Sequence, residues 1–104
     1  MKIDEAPSSA LDAALDAYLV HLRVERGLSN NTLDAYSRDL ASFAEYVADL
    51  GIGSAIAVET QHIVSWVQSL AERGFATATQ ARKRVAIRGF FRKLVEDRRM
   101  DRDP

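Results

Sequence analysis

The sequence contains no cysteine and only two histidines, which excludes several kinds of site. Without thiols the chain forms no disulfide and no thiolate metal site. The sequence places no third ligand beside His21 and His62, so we expect neither a metal ion nor any other cofactor. No apolar run approaches the roughly 20 residues of a membrane span, and the N-terminus lacks a signal-peptide core. We therefore expect no membrane contact and a cytoplasmic location.

Catalytic motifs are lacking as well. The sequence has neither a nucleophile elbow nor a Walker phosphate-binding loop. Asp12 and Asp16 lie one helical turn apart, but nothing near them in the sequence would shift a pKa, so we interpret them as solvated carboxylates. We therefore expect that the chain is not an enzyme and binds no small-molecule ligand.

The composition is that of one folded domain. Of the 104 residues, 47% are hydrophobic and 28% are charged, which is a normal globular balance. Residues 1–8 are polar and predict a flexible leader, and residues 9–98 predict the folded domain. Residues 99–104 lose periodicity and end on a proline, which predicts the start of a linker.

Apolar residues repeat with helical spacing in four segments, and no alternating β pattern appears. The predicted helices run from about Ser9 to Arg26, from Ser29–Asn31 to Gly51, from Thr60 to Gly74, and from Thr77 to Leu94. Glycines mark the ends of the first three, and Thr60, Thr77 and Thr79 are predicted caps. Between the second and third helices, Ile52 and Ile56 are expected to reach the core. Together these features predict an all-α, compact four-helix bundle.

Charge is distributed unevenly along the chain, although the net charge is only −1. Residues 1–72 carry 4 basic and 11 acidic residues, a balance of −7. Residues 73–104 carry 10 basic and 4 acidic residues, a balance of +6. In a compact domain this polarity creates a basic patch, and local potential matters more for binding than total charge.

The predicted last helix carries most of the positive charge. Four apolar residues fall on one face, which should pack on the core: Ile87, Phe90, Phe91 and Leu94. Around the far side, three arginines frame a strip of small side chains: Arg82, Arg88 and Arg92 beside Ala78, Ala81, Val85 and Gly89. Such a face suits a polyanion, and the Thr77 and Thr79 hydroxyls would add phosphate contacts. The alternative is a solvated basic face on an ordinary bundle helix.

Two stretches resemble a known family. The first is Leu28-Ser29-x-Asn31-Thr32-Leu33-x-Ala35-Tyr36-x-Arg38-Asp39-Leu40-x-x-Phe43. The second is Thr77-x-x-x-Ala81-Arg82, followed by Ala86-Ile87-Arg88-x-Phe90-Phe91-x-x-Leu94. With Asp103-Pro104 at the end, they resemble the N-terminal, SAM-like core-binding domain of tyrosine recombinases, especially the Xer type, over roughly residues 9–104.

The resemblance implies a function in DNA recombination or integration. Full-length members of this family are two-domain, clamp-shaped proteins that cut and rejoin DNA through a covalent phosphotyrosine link, without metal or nucleotide. The N-terminal domain grips a recombination half-site, and the catalytic residues belong to a C-terminal domain that has no counterpart in this sequence. Such recombinases work as tetramers on two synapsed duplexes. Xer-type members resolve chromosome dimers, and relatives integrate phage or mobile elements. The implied partners are double-stranded DNA and other recombinase protomers.

In this family the second and fourth helices face the DNA. By position, the resemblance gives this role to eight residues: Thr32, Tyr36, Arg38, Thr77, Thr79, Arg82, Lys83 and Arg88. Asn31 on the second helix and Arg92 on the last helix complete the predicted DNA-binding set. Two members have a second interpretation, because Tyr36 lies on the core stripe and Arg38 is near Asp39 and Asp34 for a surface ion pair.

The sequence departs from the family at two neighbouring positions of the last helix. Related sequences usually carry a Leu-Ser pair where this one has Arg84-Val85. We hypothesise that Arg84 lies along the edge of the core and that Val85 meets a thymine methyl in the major groove.

A different functional class stays open. The same basic helix would also suit a helical adaptor domain that binds an acidic protein partner. A helix-turn-helix transcription factor is disfavoured, because no short helix followed by a tight turn precedes the basic helix.

Overall fold

The computed structural model describes residues 9–104, which fold into four α-helices joined by short connections. The helices are α1 (Ala10–Val24), α2 (Asn30–Ala48), α3 (Thr60–Glu72) and α4 (Thr77–Glu96), with one turn of 3₁₀ helix at Ala55–Ala57. No strand occurs in the described part of the chain, and the predicted all-α, four-helix fold is confirmed. The predicted leader, residues 1–8, lies outside the described residues.

Serine side chains cap the first two helices. The Ser9 hydroxyl accepts a hydrogen bond from the Asp12 backbone N–H at 3.0 Å, and the Asp12 carboxylate accepts one from the Ser9 N–H at 3.4 Å. The Ser29 hydroxyl accepts a hydrogen bond from the Thr32 N–H at 3.3 Å, so Ser29 is the cap of α2. Each serine gives a partner to a backbone donor that the helix itself leaves unpaired.

The predicted caps of α3 and α4 are wrong. Thr60 is the first residue of α3, and Glu59 occupies the cap position instead. There the Glu59 backbone N–H donates to Nδ1 of His62 at 2.8 Å, which gives that histidine a structural role. α4 follows Ala76, whose methyl group cannot accept a hydrogen bond, so no side chain caps this helix from that position.

Three glycines end helices as predicted: Gly27, Gly51 and Gly74 have φ angles of 63°, 84° and 87°. This left-handed region favours glycine because a Cβ would approach the following carbonyl too closely. α4 ends in the same geometry without a glycine. Arg98 has a φ angle of 60°, and the Arg99 backbone N–H donates to the Leu94 carbonyl at 2.8 Å. The helix continues to Glu96, a little past its predicted end.

Aromatic rings pack at the centre of the domain. Phe43 lies edge to face against Trp66, with ring centroids 5.1 Å apart, and against Phe91 at 6.2 Å. Phe90 and Phe91 lie edge to face at 5.0 Å. The four predicted core residues of α4 are all buried, so the predicted facing of this helix is confirmed.

α4 packs against each of the other three helices, as α2 also does. The α2–α4 contact is the most extensive. Residues on the outer side of α4 therefore lie next to the surfaces of its neighbours. Among the described helices, none is long and apolar enough to cross a lipid bilayer.

The connection between α2 and α3 differs from its predicted packing. The Leu11 backbone N–H donates to the Gly53 carbonyl at 2.9 Å, which ties this connection to the start of α1. Ile52 packs against the core as expected, but Ile56 is 72% exposed, so its predicted burial is wrong. The 3₁₀ turn leaves Ile56 on its outer side, and Val58 is buried in its place.

Residues 99–104 fold back along the start of α3. Met100 packs against the core, and the Thr60 hydroxyl donates to the Pro104 carbonyl. The segment for which the sequence predicts the start of a linker thus touches the domain at two points.

Replacing Phe91 with alanine should lower the free energy of unfolding by about 3–5 kcal/mol, because a buried ring is lost and a cavity remains. Arg88→Ala, on the exposed side of the same helix, should change this free energy by less than about 0.5 kcal/mol. Urea denaturation followed by circular dichroism measures both losses. A larger loss for Arg88→Ala would show that the facing of α4 is wrong.

Candidate nucleic-acid interface

A buried ionic cluster joins α2 to α4. Asp39 of α2 is 2% exposed, and two consecutive residues of α4 bind its carboxylate. Arg82 donates from Nε to Oδ2 at 3.1 Å and from Nη2 to Oδ1 at 2.9 Å. Lys83 donates from Nζ to Oδ1 at 2.9 Å. A buried carboxylate is costly without such partners, so the cluster favours one alignment of the two helices.

The cluster changes the roles predicted for its members. Lys83 is 7% exposed, and its ammonium group binds Asp39 and lies 5.4 Å from the Phe75 ring centroid, so it has a structural role in the cluster and little of it faces solvent. Arg82 keeps 55% of its side chain exposed, and its hydrogen bond to Asp39 raises the pKa of the guanidinium further above its ordinary value. Arg38 and Asp39 do not form the surface ion pair considered as an alternative, because the Asp39 carboxylate is buried and binds α4.

A groove of about 300 Å³ opens on the surface where α1, α2 and α4 meet. Three of the predicted DNA-binding residues line it: Tyr36, Arg88 and Arg92. Its lining also includes Tyr18, Arg26 and Gly89. Val85 also lines it and is 59% exposed. We call this feature the basic groove. Arg26 lies just after α1, whereas Arg88 and Arg92 lie in α4. Because these arginines are far apart in the sequence, the fold creates the groove.

Tyr18 forms one wall of the basic groove and approaches α4 closely at Gly89. A Cβ on Gly89 would lie 2.7 Å from the Tyr18 hydroxyl oxygen, and the Gly89 φ angle is not in the left-handed region. The close approach, and not the backbone angle, therefore favours glycine here. The Tyr18 ring lies edge to face against Phe90 at 5.7 Å and stacks on His21 at 6.1 Å. Burial raises the pKa of the Tyr18 phenol, and nearby Tyr36 adds to this effect, so the hydroxyl stays a neutral donor at pH 7.

The remaining predicted site residues lie outside the basic groove. Thr79 is half-buried, and the other four are exposed: Asn31, Thr32, Arg38 and Thr77. Asn31 and Thr32 occupy the first turn of α2, and the two threonines of α4 occupy its first turn. Asn31, Thr32 and the two threonines thus lie at two helix N-termini, where backbone N–H groups lack helical partners.

Sequence reasoning missed Asp39 as a member of the ionic cluster, and it missed Tyr18 and Arg26 as members of the basic groove. Asp39 carried a signal, because it lies three residues after Tyr36 and four before Phe43, which is the spacing of a core face. An acid at that spacing, in a chain with a basic helix, indicates a buried ion pair. Arg26 carried no such signal, because it follows the end of α1 and a turn decides its direction.

Replacing Asp39 with alanine should lower the free energy of unfolding by about 3–5 kcal/mol, because Lys83 would remain buried without its counter-charge. Asp34→Ala is the matched control, since it removes an exposed acid from the same helix and should cost less than about 0.5 kcal/mol. Thermal and urea unfolding measure both. Equal losses would contradict the structural role of the cluster.

Gly89→Ala tests the close approach of α1 to α4. Alanine in a helix interior normally stabilises by about 0.5–1 kcal/mol relative to glycine. In the native chain we expect no gain or a loss, because the new Cβ would collide with the Tyr18 hydroxyl. In a Tyr18→Phe background the next atom, Cζ, would be 3.9 Å away, and the normal gain should appear. A double-mutant cycle of unfolding free energies measures this difference, and identical effects in the two backgrounds would disprove the contact.

Comparison with known proteins identifies relatives. The model of the phage integrase N-terminal SAM-like domain matches residues 15–98. The tyrosine recombinase XerD of Brucella abortus biovar 1 is 41% identical over 91 residues, which cover 88% of this chain and 29% of that protein. The tyrosine recombinase XerC of Pseudomonas syringae pv. syringae is 35% identical over 94 residues, which cover 90% of this chain and 31% of that protein. The XerC of Herpetosiphon aurantiacus is 38% identical over 80 residues, or 77% of this chain and 26% of that protein.

The matched stretch includes the whole of α2, α3 and α4. The chain spans about three-tenths of the length of the curated relatives that it matches. No solved structure matches it significantly. The resemblance noted in the sequence is confirmed, and this chain belongs to the phage integrase N-terminal SAM-like domain family, with Xer tyrosine recombinases among its relatives.

Proposed function

We propose that this chain is the DNA-binding domain of a Xer-type site-specific tyrosine recombinase. It grips a recombination half-site through α2 and α4, while another domain of the parent recombinase cuts and rejoins the DNA. Family membership and the XerC and XerD relatives support this proposal. The chain itself is then a binding module and not an enzyme.

The basic groove is the observation that carries the proposal. Arg88 and Arg92 lie one turn apart on the exposed side of α4, and Tyr36 of α2 lines the same groove. Within residues 9–104, neither arginine forms an ion pair, so both guanidinium groups have donors for phosphate oxygens. Guanidinium groups suit phosphate because their planar set of donors matches its oxygens.

Further contacts are proposed along both helices. Phosphate contacts come from polar groups near the two helix N-termini and from two more arginines: Asn31, Thr32, Thr77 and Thr79, with Arg38 and the exposed part of Arg82. The start of α4 has no capping side chain at Ala76, so its backbone N–H groups add to the attraction for phosphate. Such contacts fix the position of the domain on the duplex. Val85 is the apolar residue of the groove that suits a thymine methyl in the major groove.

The proposed setting follows from the family. The parent recombinase would act in the cytoplasm with other protomers, as a synaptic tetramer on two duplexes. Its reaction would be chromosome dimer resolution or the integration of a mobile element.

Fluorescence anisotropy tests this function. A labelled duplex of about 30 base pairs is titrated with the protein at several salt concentrations. If about five phosphates are neutralised, log affinity should fall against log salt with a slope of about −4 to −5. Arg88→Ala/Arg92→Ala should weaken binding and reduce the slope by about 2. Arg23→Ala/Arg102→Ala removes the same charge from residues outside the groove and is the control. Arg82 stays unchanged, because its loss would disturb Asp39.

Two outcomes would overturn parts of the proposal. Equal binding by both double variants would remove the assigned role of α4. If the unmutated chain fails to bind duplex even at low salt, DNA binding itself is wrong. The adaptor function, with an acidic protein partner on the same helix, would then be favoured.

A further inference from the structure

The end of α1 borders the same groove as the arginines of α4. Tyr18 lies on α1, Arg26 follows its end, and both line the basic groove beside Arg88 and Arg92. We infer that Arg26 and the Tyr18 hydroxyl bind a phosphate of the DNA backbone next to the phosphates that these two arginines contact, so that three helices contact the DNA. This inference rests on the proposed function and extends the DNA-binding surface to α1.

Gly89 allows the Tyr18 hydroxyl to reach the wall of this groove. Since Gly89 has no side chain, the Tyr18 hydroxyl reaches a position next to α4 that a methyl group would otherwise occupy. The groove of about 300 Å³ has room for one phosphodiester group. The Tyr18 hydroxyl supplies a hydrogen-bond donor there without adding charge.

The charges that line the groove favour an anion. Three arginines line it: Arg26, Arg88 and Arg92. Lys93 lies at the same groove but is paired with Asp97 at 3.2 Å, and Glu96 is an acid in the lining. The positive charge therefore concentrates on the arginines, between the end of α1 and the middle of α4. A phosphate bound there would touch both helices at once.

Arg26→Ala in the 104-residue chain tests the inference in the same anisotropy titration. Loss of one phosphate contact should reduce the salt slope by about 1 and weaken binding about three- to tenfold. Arg23→Ala is the matched control, because it removes one exposed arginine from the last turn of α1 that lines a separate groove with Leu19 and Val20. It should leave slope and affinity unchanged. Circular dichroism confirms that both variants fold.

Two further variants separate charge from hydrogen bonding. Arg26→Lys keeps the charge and should keep the salt slope while lowering affinity, because a lysine lacks the planar set of donors. Tyr18→Phe should lower affinity about two- to fivefold with no change in slope, since it removes a neutral donor only. A full unit lost from the slope by Arg26→Lys would contradict the inference.

The outcomes distinguish this inference from the proposed function. If Arg26→Ala behaves like Arg23→Ala while Arg88→Ala/Arg92→Ala loses binding, α1 does not contact DNA and only the inference is overturned. If the unmutated chain shows no salt-sensitive binding, the proposed function is overturned and the inference with it.

Discussion

Asp39 holds a negative charge inside the domain, and a charge in that environment must be paired. Arg82 and Lys83 follow one another on α4, so their side chains leave the helix about 100° apart. Both reach one carboxylate only when it faces the gap between them. The cluster is therefore compatible with only one rotation of α4 about its own axis, the one that also buries its apolar face. That rotation decides which residues of α4 enter the core and which face outward.

With α4 held in this rotation, its two sides have separate roles. Phe90 and Phe91 enter the aromatic core, while Arg88 borders the basic groove. α1 packs closely at Gly89, which brings Tyr18 to the same groove. The positions of core rings and candidate DNA-binding groups are thus coupled, because a rotation of α4 that exposed the rings would also turn the arginines inward. The stability of the fold and the geometry of the site depend on the same ionic contact.

Helical periodicity predicted much of this arrangement, because an apolar stripe 3.6 residues in period has one way to reach a core. It placed Phe91 on the buried side of α4 and Arg88 on its exposed side. It did not predict the burial of Lys83, because the residue that binds this lysine lies 44 positions away and local pattern carries no information about that pairing. The predicted burial of Ile56 was wrong for a different reason, because a 3₁₀ turn changes the period from 3.6 to about 3 residues. The role of Arg26 depended on a turn between helices, which periodicity does not describe.

The ionic cluster also reduces the positive charge that α4 presents to a polyanion. Six basic residues lie on this helix: Arg82, Lys83, Arg84, Arg88, Arg92 and Lys93. Asp39 binds two of them, and Asp97 pairs with a third. Within residues 9–104 the other three arginines form no ion pair, so the field at the groove depends on few side chains. Because Arg82 serves the fold as well as the surface, only the arginines outside the cluster report on DNA binding alone.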